Sequence, residues 1–157
     1  MIDDPKIVRT EEQNAAVIRL TIPREEMQSA MGPAIREVLA TVAAQGLAPL
    51  GPVFAHHFRM DPKTFDFEVG VPVAKGITPN GRVKPGKLPA AEVARAVYRG
   101  PYEGLPAAWQ KFDAWVAAEN RVPAKNLWES YVAGPESGPD SKSWRTELNR
   151  PLKKKQA

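Results

Sequence analysis

The segment Leu127-Trp128-Glu129-Ser130-Tyr131-Val132 sets a carboxylate in the middle of a strand-like run of bulky apolar and aromatic residues. Strand alternation puts Leu127, Glu129 and Tyr131 on one face and Trp128, Ser130 and Val132 on the other. A carboxylate shielded from water beside aromatic rings is costly unless a cation or a hydrogen-bond donor satisfies it. A bound organic cation would do so, and the rings would add cation–π attraction. The alternative is a solvated glutamate on the outside of a sheet, and the residues alone leave both readings open. Large apolar Trp128 marks its own face as the one packed under helices, which predicts Glu129 on the opposite, concave side.

Other residues are candidates for the same site. Glu147 and Glu68 fall at equivalent strand positions opposite aromatic neighbours, as pocket-lining acids or as the solvated half of an amphipathic strand. Tyr98, Tyr102 and Trp109 surround a Gly100-Pro101 corner, where Tyr102 and Trp109 either edge a cleft or fill the core. His56-His57 does not read as a metal pair, because adjacent strand residues point to opposite faces and no cysteine or His-x-Glu spacing assists. His57 shares a strand face with Val53 and Ala55, the counterparts of Leu127 and Glu129. The predicted ligand set is Glu129, Tyr131, Leu127, Tyr102, Trp109, His57 and Glu147, with no metal and no cofactor. The sequence has no phosphate-cradling glycine loop and no nucleophile elbow, and Pro79-Asn80-Gly81 is a turn signal.

The elements that must position these residues come in two similar sets. Residues 40–49 (ATVAAQGLAP) align without a gap on 114–123 (AWVAAENRVP), with Ala40/Ala114, Val42/Val116, Ala43/Ala117, Ala44/Ala118 and Pro49/Pro123 identical. The same offset pairs Phe54 with Trp128. After a five-residue adjustment, FDFEVGVPV (65–73) lies over WRTELNRPL (144–152), with Glu68 on Glu147 and Pro72 on Pro151. This spacing is too long for a solenoid unit of about 20–50 residues. It predicts two copies of one supersecondary unit, related by a pseudo-twofold axis with a ligand cleft on that axis.

In the first copy, residues 6–10 and 15–22 read as a strand pair. A helix is expected from Pro23 to Gly46, with a break or kink at Gly32-Pro33, followed by a hairpin of 51–60 and 64–73. Residues 74–90 read as the linker, with a turn at Lys84-Pro85-Gly86-Lys87. The second copy repeats the order: a strand at 92–99, a helix at 105–119, and strands at 126–132 and 144–152. The predicted fold is α+β: tandem β-α-β-β units forming a curved antiparallel sheet of about eight strands, with two helices on one face. As domains, this gives repeat one at 5–73, the linker at 74–90, repeat two at 91–152 and a basic tail at 153–157.

Composition bounds the rest. The 157 residues fit one domain of ordinary apolar (43%) and charged (25%) content. The formal net charge is +4, but four of the 22 basic residues lie between Arg150 and Lys155, so the remainder is nearly neutral and nucleic acid is not the expected partner. Absence of cysteine removes disulfide and thiolate chemistry. No apolar run approaches the roughly 20 residues of a membrane span, and the Met-Ile-Asp-Asp-Pro start lacks a secretory pattern, so a cytoplasmic protein is expected.

Taken in order, Gly100-Pro101-Tyr102, Ala108-Trp109, Trp128-x-Glu-x-Tyr131 with Gly134-Pro135, and Thr146-Glu-Leu-x-x-Pro-Leu152 resemble the gyrase-inhibitor-like small-molecule-binding domain family. That family includes the effector-binding halves of some multidrug-sensing transcription regulators. The resemblance spans residues 5–152. It implies tandem β-α-β-β units, a central ligand cleft, and contact between Glu129 and ligands that are often cationic and aromatic. Two departures stand out. No helix-turn-helix precedes the first strand, so transcriptional activation is not expected of this chain, and Asn149-Arg150-Pro151-Leu152 is more polar than the family's apolar run. The leading expectation is a stand-alone binder of hydrophobic cations. The alternatives are hydrolysis of reactive cyclopropane-type compounds, with Glu129 and Tyr131 acting on water, and a protein-interaction module that restrains gyrase.

Overall fold

The computed structural model describes residues 2–135 and 138–154. It contains strands β1 (Ile2–Thr10), β2 (Gln13–Pro23), β3 (Phe54–Met60), β4 (Thr64–Pro72), β5 (Lys84–Leu88), β6 (Ala91–Arg99), β7 (Leu127–Ala133) and β8 (Arg145–Pro151), with helices α1 (Met27–Ala44) and α2 (Leu105–Ala118). Two helices and eight antiparallel strands make an α+β fold. Two compact units divide it: one holds Glu11–Ala90, the other the residues through Thr10 together with those from Ala91 onward. No helix among the described residues is long and apolar enough to cross a membrane.

In the Glu11–Ala90 unit the strand order is β3-β4-β2-β5. Helix α1 buries Ala34, Val38, Thr41 and Val42 and packs on β2 and β4. It continues as one helix through Pro33, so of the break or kink expected there the break is absent. Pro33 lies in the second turn, where its ring and missing N–H cost about 3 kcal/mol. Full burial of Val38 and Val42 offsets that, at about 1.5–3 kcal/mol each. Pro23 opens not α1 itself but a single 3-10 turn, Arg24–Glu26, whose first N–H bonds the Lys63 carbonyl.

In the other unit the order is β1-β6-β8-β7, and α2 lies over it. Ala108, Phe112 and Val116 of α2 pack with Ala94, Ala96 and Tyr98 of β6 and Leu148 of β8. Both helices end alike. Gly46 (φ 72°) and Asn120 (φ 58°) take the left-handed position, and the next residue's N–H reaches back to Val42 and Val116 respectively. The hairpins also share a register: Phe54 faces Gly70 and His56 faces Glu68, while Trp128 faces Asn149 and Ser130 faces Glu147.

Two expectations are corrected. β1 does not pair with β2; it pairs with β6, from Ile2–Tyr98 to Thr10–Ala91. Lys84–Lys87 is not a turn but the core of β5, paired with β2 from Leu88–Gln13 to Lys84–Val17. Pro85 is tolerated there because β5 is an edge strand, and Gly86 is required because a Cβ would stand 2.7 Å from a Val17 methyl. Of the basic tail, residues 155–157 lie outside the described residues.

Candidate ligand-binding site

β7 and β8 fix which residues meet. Glu129 is directly opposite Leu148, and Tyr131 opposite Thr146. Across β8, Ala96 is opposite Leu148 and Tyr98 opposite Thr146. Ala96, Tyr98 and Leu148 are the residues that α2 covers, so Glu129 and Tyr131 face the helix. This reverses the orientation expected from the sequence. The reason is that both faces of β7 are buried: Trp128 is 3% and Leu127 3% exposed, so bulk alone does not reveal which face lies under the helix.

Beneath α2 Glu129 is 8% exposed, and its carboxylate is held by two neutral donors. The Trp109 indole N–H donates to Oε2 at 2.7 Å, and the Tyr131 hydroxyl donates to Oε1 at 2.8 Å. Among the described residues it makes no ion pair. Burial therefore raises its pKa above the ordinary carboxylate value, and the two hydrogen bonds only partly oppose that. Tyr131 is pushed well above the usual phenol value by burial and by the adjacent carboxylate, so it stays a proton donor.

Aromatic rings extend the site. The Tyr102 ring stands edge-on to Tyr131 at 5.7 Å and lies tilted against Trp144 at 5.1 Å. Tyr102 is placed by a corner wrapped around one hydroxyl. Tyr98 Oη donates to the Pro101 carbonyl at 2.7 Å, and a Cβ on Gly104 would stand 2.0 Å from the same oxygen. Gly100 makes the corner with φ 137°, a conformation that favours glycine. Trp109 is held from behind by Arg150, whose guanidinium lies 5.4 Å from the ring centroid and bonds both carboxylate oxygens of Asp113.

Of the predicted set, the structure joins Glu129, Tyr131, Trp109 and Tyr102, with buried Leu127 two residues along the same strand face. Glu147 is not among them. Opposite Ser130, it lies on the other face of the strands, paired with Arg95 at 3.4 Å and accepting from Asn149 at 3.2 Å. His57 belongs to the other unit, stacked on Phe67 at 4.9 Å, with Phe65 edge-on at 5.2 Å. Glu68, across from His56 in that unit, is half-buried, and desolvation raises its pKa. Trp144, Thr146 and Arg150 are not in the predicted ligand set, although Thr146 and Arg150 fall within the motif at 146–152. Alternation from Leu148 along β8 would have found Thr146 and Arg150. Among the described residues no group of three or more His, Asp or Glu is placed to hold a metal ion.

The chain matches the model of the GyrI-like small molecule binding domain over residues 3–153. No curated protein sequence matches it significantly. Among solved structures it is similar to the C-terminal domain of EcmrR, at 22% identity and a TM-score of 0.85, covering 97% of this chain and 98% of that one. EcmrR in its complex with DNA gives 22% identity and a TM-score of 0.84 over 97% of this chain, which spans 58% of the EcmrR length. SAV2435 bound to tetraphenylphosphonium is 11% identical, with a TM-score of 0.63 and coverage of 96% and 94%. At such identities the likeness is one of fold, whereas the family match covers nearly every residue. This chain belongs to the GyrI-like small-molecule-binding domain family.

Proposed function

We propose that the chain binds hydrophobic aromatic cations at Glu129, beneath α2 and beside Tyr131, Tyr102 and Trp144. One observation carries this reading: a buried carboxylate that, among the described residues, has two hydrogen-bond donors but no cation, and that lies among aromatic rings. Desolvating such a group is unfavourable, and a bound cation removes the penalty while its own charge is compensated. The rings accept the apolar body of the ligand and add attraction to its charge. Trp109 stands in the ligand's place in the structure described, its N–H engaging Oε2. A cation entering the site takes over that oxygen as the indole moves aside. The solved complex of SAV2435 with tetraphenylphosphonium, a relative in fold, is consistent with a cation of this class. Hydrolysis gains no such support, because both Glu129 oxygens already accept hydrogen bonds, from Trp109 and Tyr131, and burial holds the Tyr131 hydroxyl as a donor to that carboxylate.

The test is calorimetric titration of the protein and its Glu129→Gln variant with rhodamine 6G. The reading expects micromolar binding that the variant loses by tenfold or more. Unchanged affinity in the variant would remove Glu129 from recognition.

A further inference from the structure

Thr146 is fully buried, and among the described residues its Oγ1 has no hydrogen-bond partner. It sits directly between two aromatic strand neighbours, opposite Tyr98 on β6 and Tyr131 on β7. It therefore shares the helix-side face with Glu129, one diagonal step away, roughly 7–8 Å between Cα positions.

The other polar groups on this face are engaged. Tyr98 Oη donates to the Pro101 carbonyl, and Tyr131 Oη and the Trp109 N–H both donate to Glu129. Arg150 is bound to Asp113, and the Trp144 N–H to the Gly138 carbonyl. Thr146 stands apart from all of them. A valine would fill the same volume with no hydroxyl to desolvate, so the unpaired oxygen is a standing penalty. A ligand group placed there would relieve it.

We infer that Thr146 is a specificity-determining residue of the Glu129 site, and that the site favours aromatic cations carrying a hydrogen-bonding group, such as an aromatic amine, about one ring away from the charge contacted by Glu129. The inference rests on the cation-binding reading given above. The hydroxyl would accept from an N–H of the ligand or donate to a ligand oxygen. Cations without such a group would still bind through charge and stacking, and Thr146 would not distinguish them.

Two probes separate these contributions. Ethidium is an aromatic cation with two amino groups, whereas tetraphenylphosphonium has no hydrogen-bonding group. Each is titrated calorimetrically into the full chain and into Thr146→Val and Thr146→Ser, with the ligand-free thermal midpoint of each protein measured alongside. Thr146→Val is expected to lose about fivefold in ethidium affinity, the value of one hydrogen bond between uncharged groups. Its affinity for tetraphenylphosphonium is expected to stay within about twofold, its midpoint to equal or exceed that of the unaltered chain, and Thr146→Ser to keep ethidium binding. Unchanged ethidium affinity, equal losses for both cations, or a lowered midpoint would each overturn the role of Thr146. In those cases tetraphenylphosphonium binding by the unaltered chain would leave the cation site standing. Failure of the unaltered chain to bind either probe would overturn both readings.

Discussion

Glu129 is hydrogen-bonded yet uncompensated, and that combination has a measurable sign. Its folded pKa lies above the ordinary value of 4.5, so the native state holds the proton more tightly than the unfolded chain does. Its contribution to stability is then greatest below pH 4.5 and declines as pH rises through the raised value. Glu129→Gln removes that decline. Its amide oxygen can still accept from Trp109, and its amide nitrogen can donate to Tyr131. We predict a higher thermal midpoint for the variant at pH 7.5, with the gap closing as pH approaches 4.5. The gain would amount to a few degrees, at about 2–4 °C per kcal/mol for a chain of this size. A lower midpoint at neutral pH would mean that the carboxylate is stabilising as built. Glu129 was visible in the sequence because a charged residue interrupts an apolar run. Its covering partner was harder to see, because Trp109 at helical spacing is equally a core residue until the N–H is found 2.7 Å from the acid.

At the scale of elements, the Gly100–Gly104 corner and α2 set the shape of the site. Gly104 admits no side chain, because a Cβ would meet the Tyr98 hydroxyl at 2.0 Å. Gly104→Ala is predicted to destabilise the fold by about 1–3 kcal/mol, the usual range for overpacking, as measured by urea denaturation. Trp109→Phe keeps a ring on α2 but removes the donor that competes with a ligand cation for Oε2. We predict that it tightens binding of tetraphenylphosphonium about tenfold, since a hydrogen bond to a charged group is worth about 1.5–3 kcal/mol. Weaker binding would show that the indole N–H supports the occupied site instead. Most elements were legible: the matched AAQG and AAEN segments do end both helices. Strand partners were not. β1 and β2 are adjacent in sequence and both β-rich, yet β1 bonds to β6, and nothing local in residues 6–22 encodes that distant choice.

For the molecule as a whole, acid stability reflects two buried histidines as well as Glu129. Burial lowers the pKa of His56 and of His57 to about 4, and for His57 the neighbouring His56 and Arg24 add to the effect while Asp66 opposes it. The unfolded chain takes up these protons near pH 6.5, whereas the folded chain waits until about 4, so stability falls as pH drops through that window. The loss is on the order of 3 kcal/mol per ring. His57→Leu is predicted to flatten the decline between pH 6.5 and 4 in thermal melts while leaving the profile above pH 7 unchanged. An unaltered acid limb would place the sensitivity elsewhere. The α+β class followed from periodicity and from the matching of residues 40–49 with 114–123. The face on which Glu129 sits did not, because both faces of β7 carry large buried side chains and only the register with Leu148 decides between them.

The most direct test of the central claim compares a cation with a neutral molecule of similar shape. Tetraphenylphosphonium and triphenylphosphine oxide would each be titrated into the protein and into Glu129→Gln at pH 7.5. If the buried carboxylate recognises charge, the variant loses tenfold or more in affinity for the cation and at most about twofold for the neutral compound. Equal losses for the two, or none for the cation, would contradict the account.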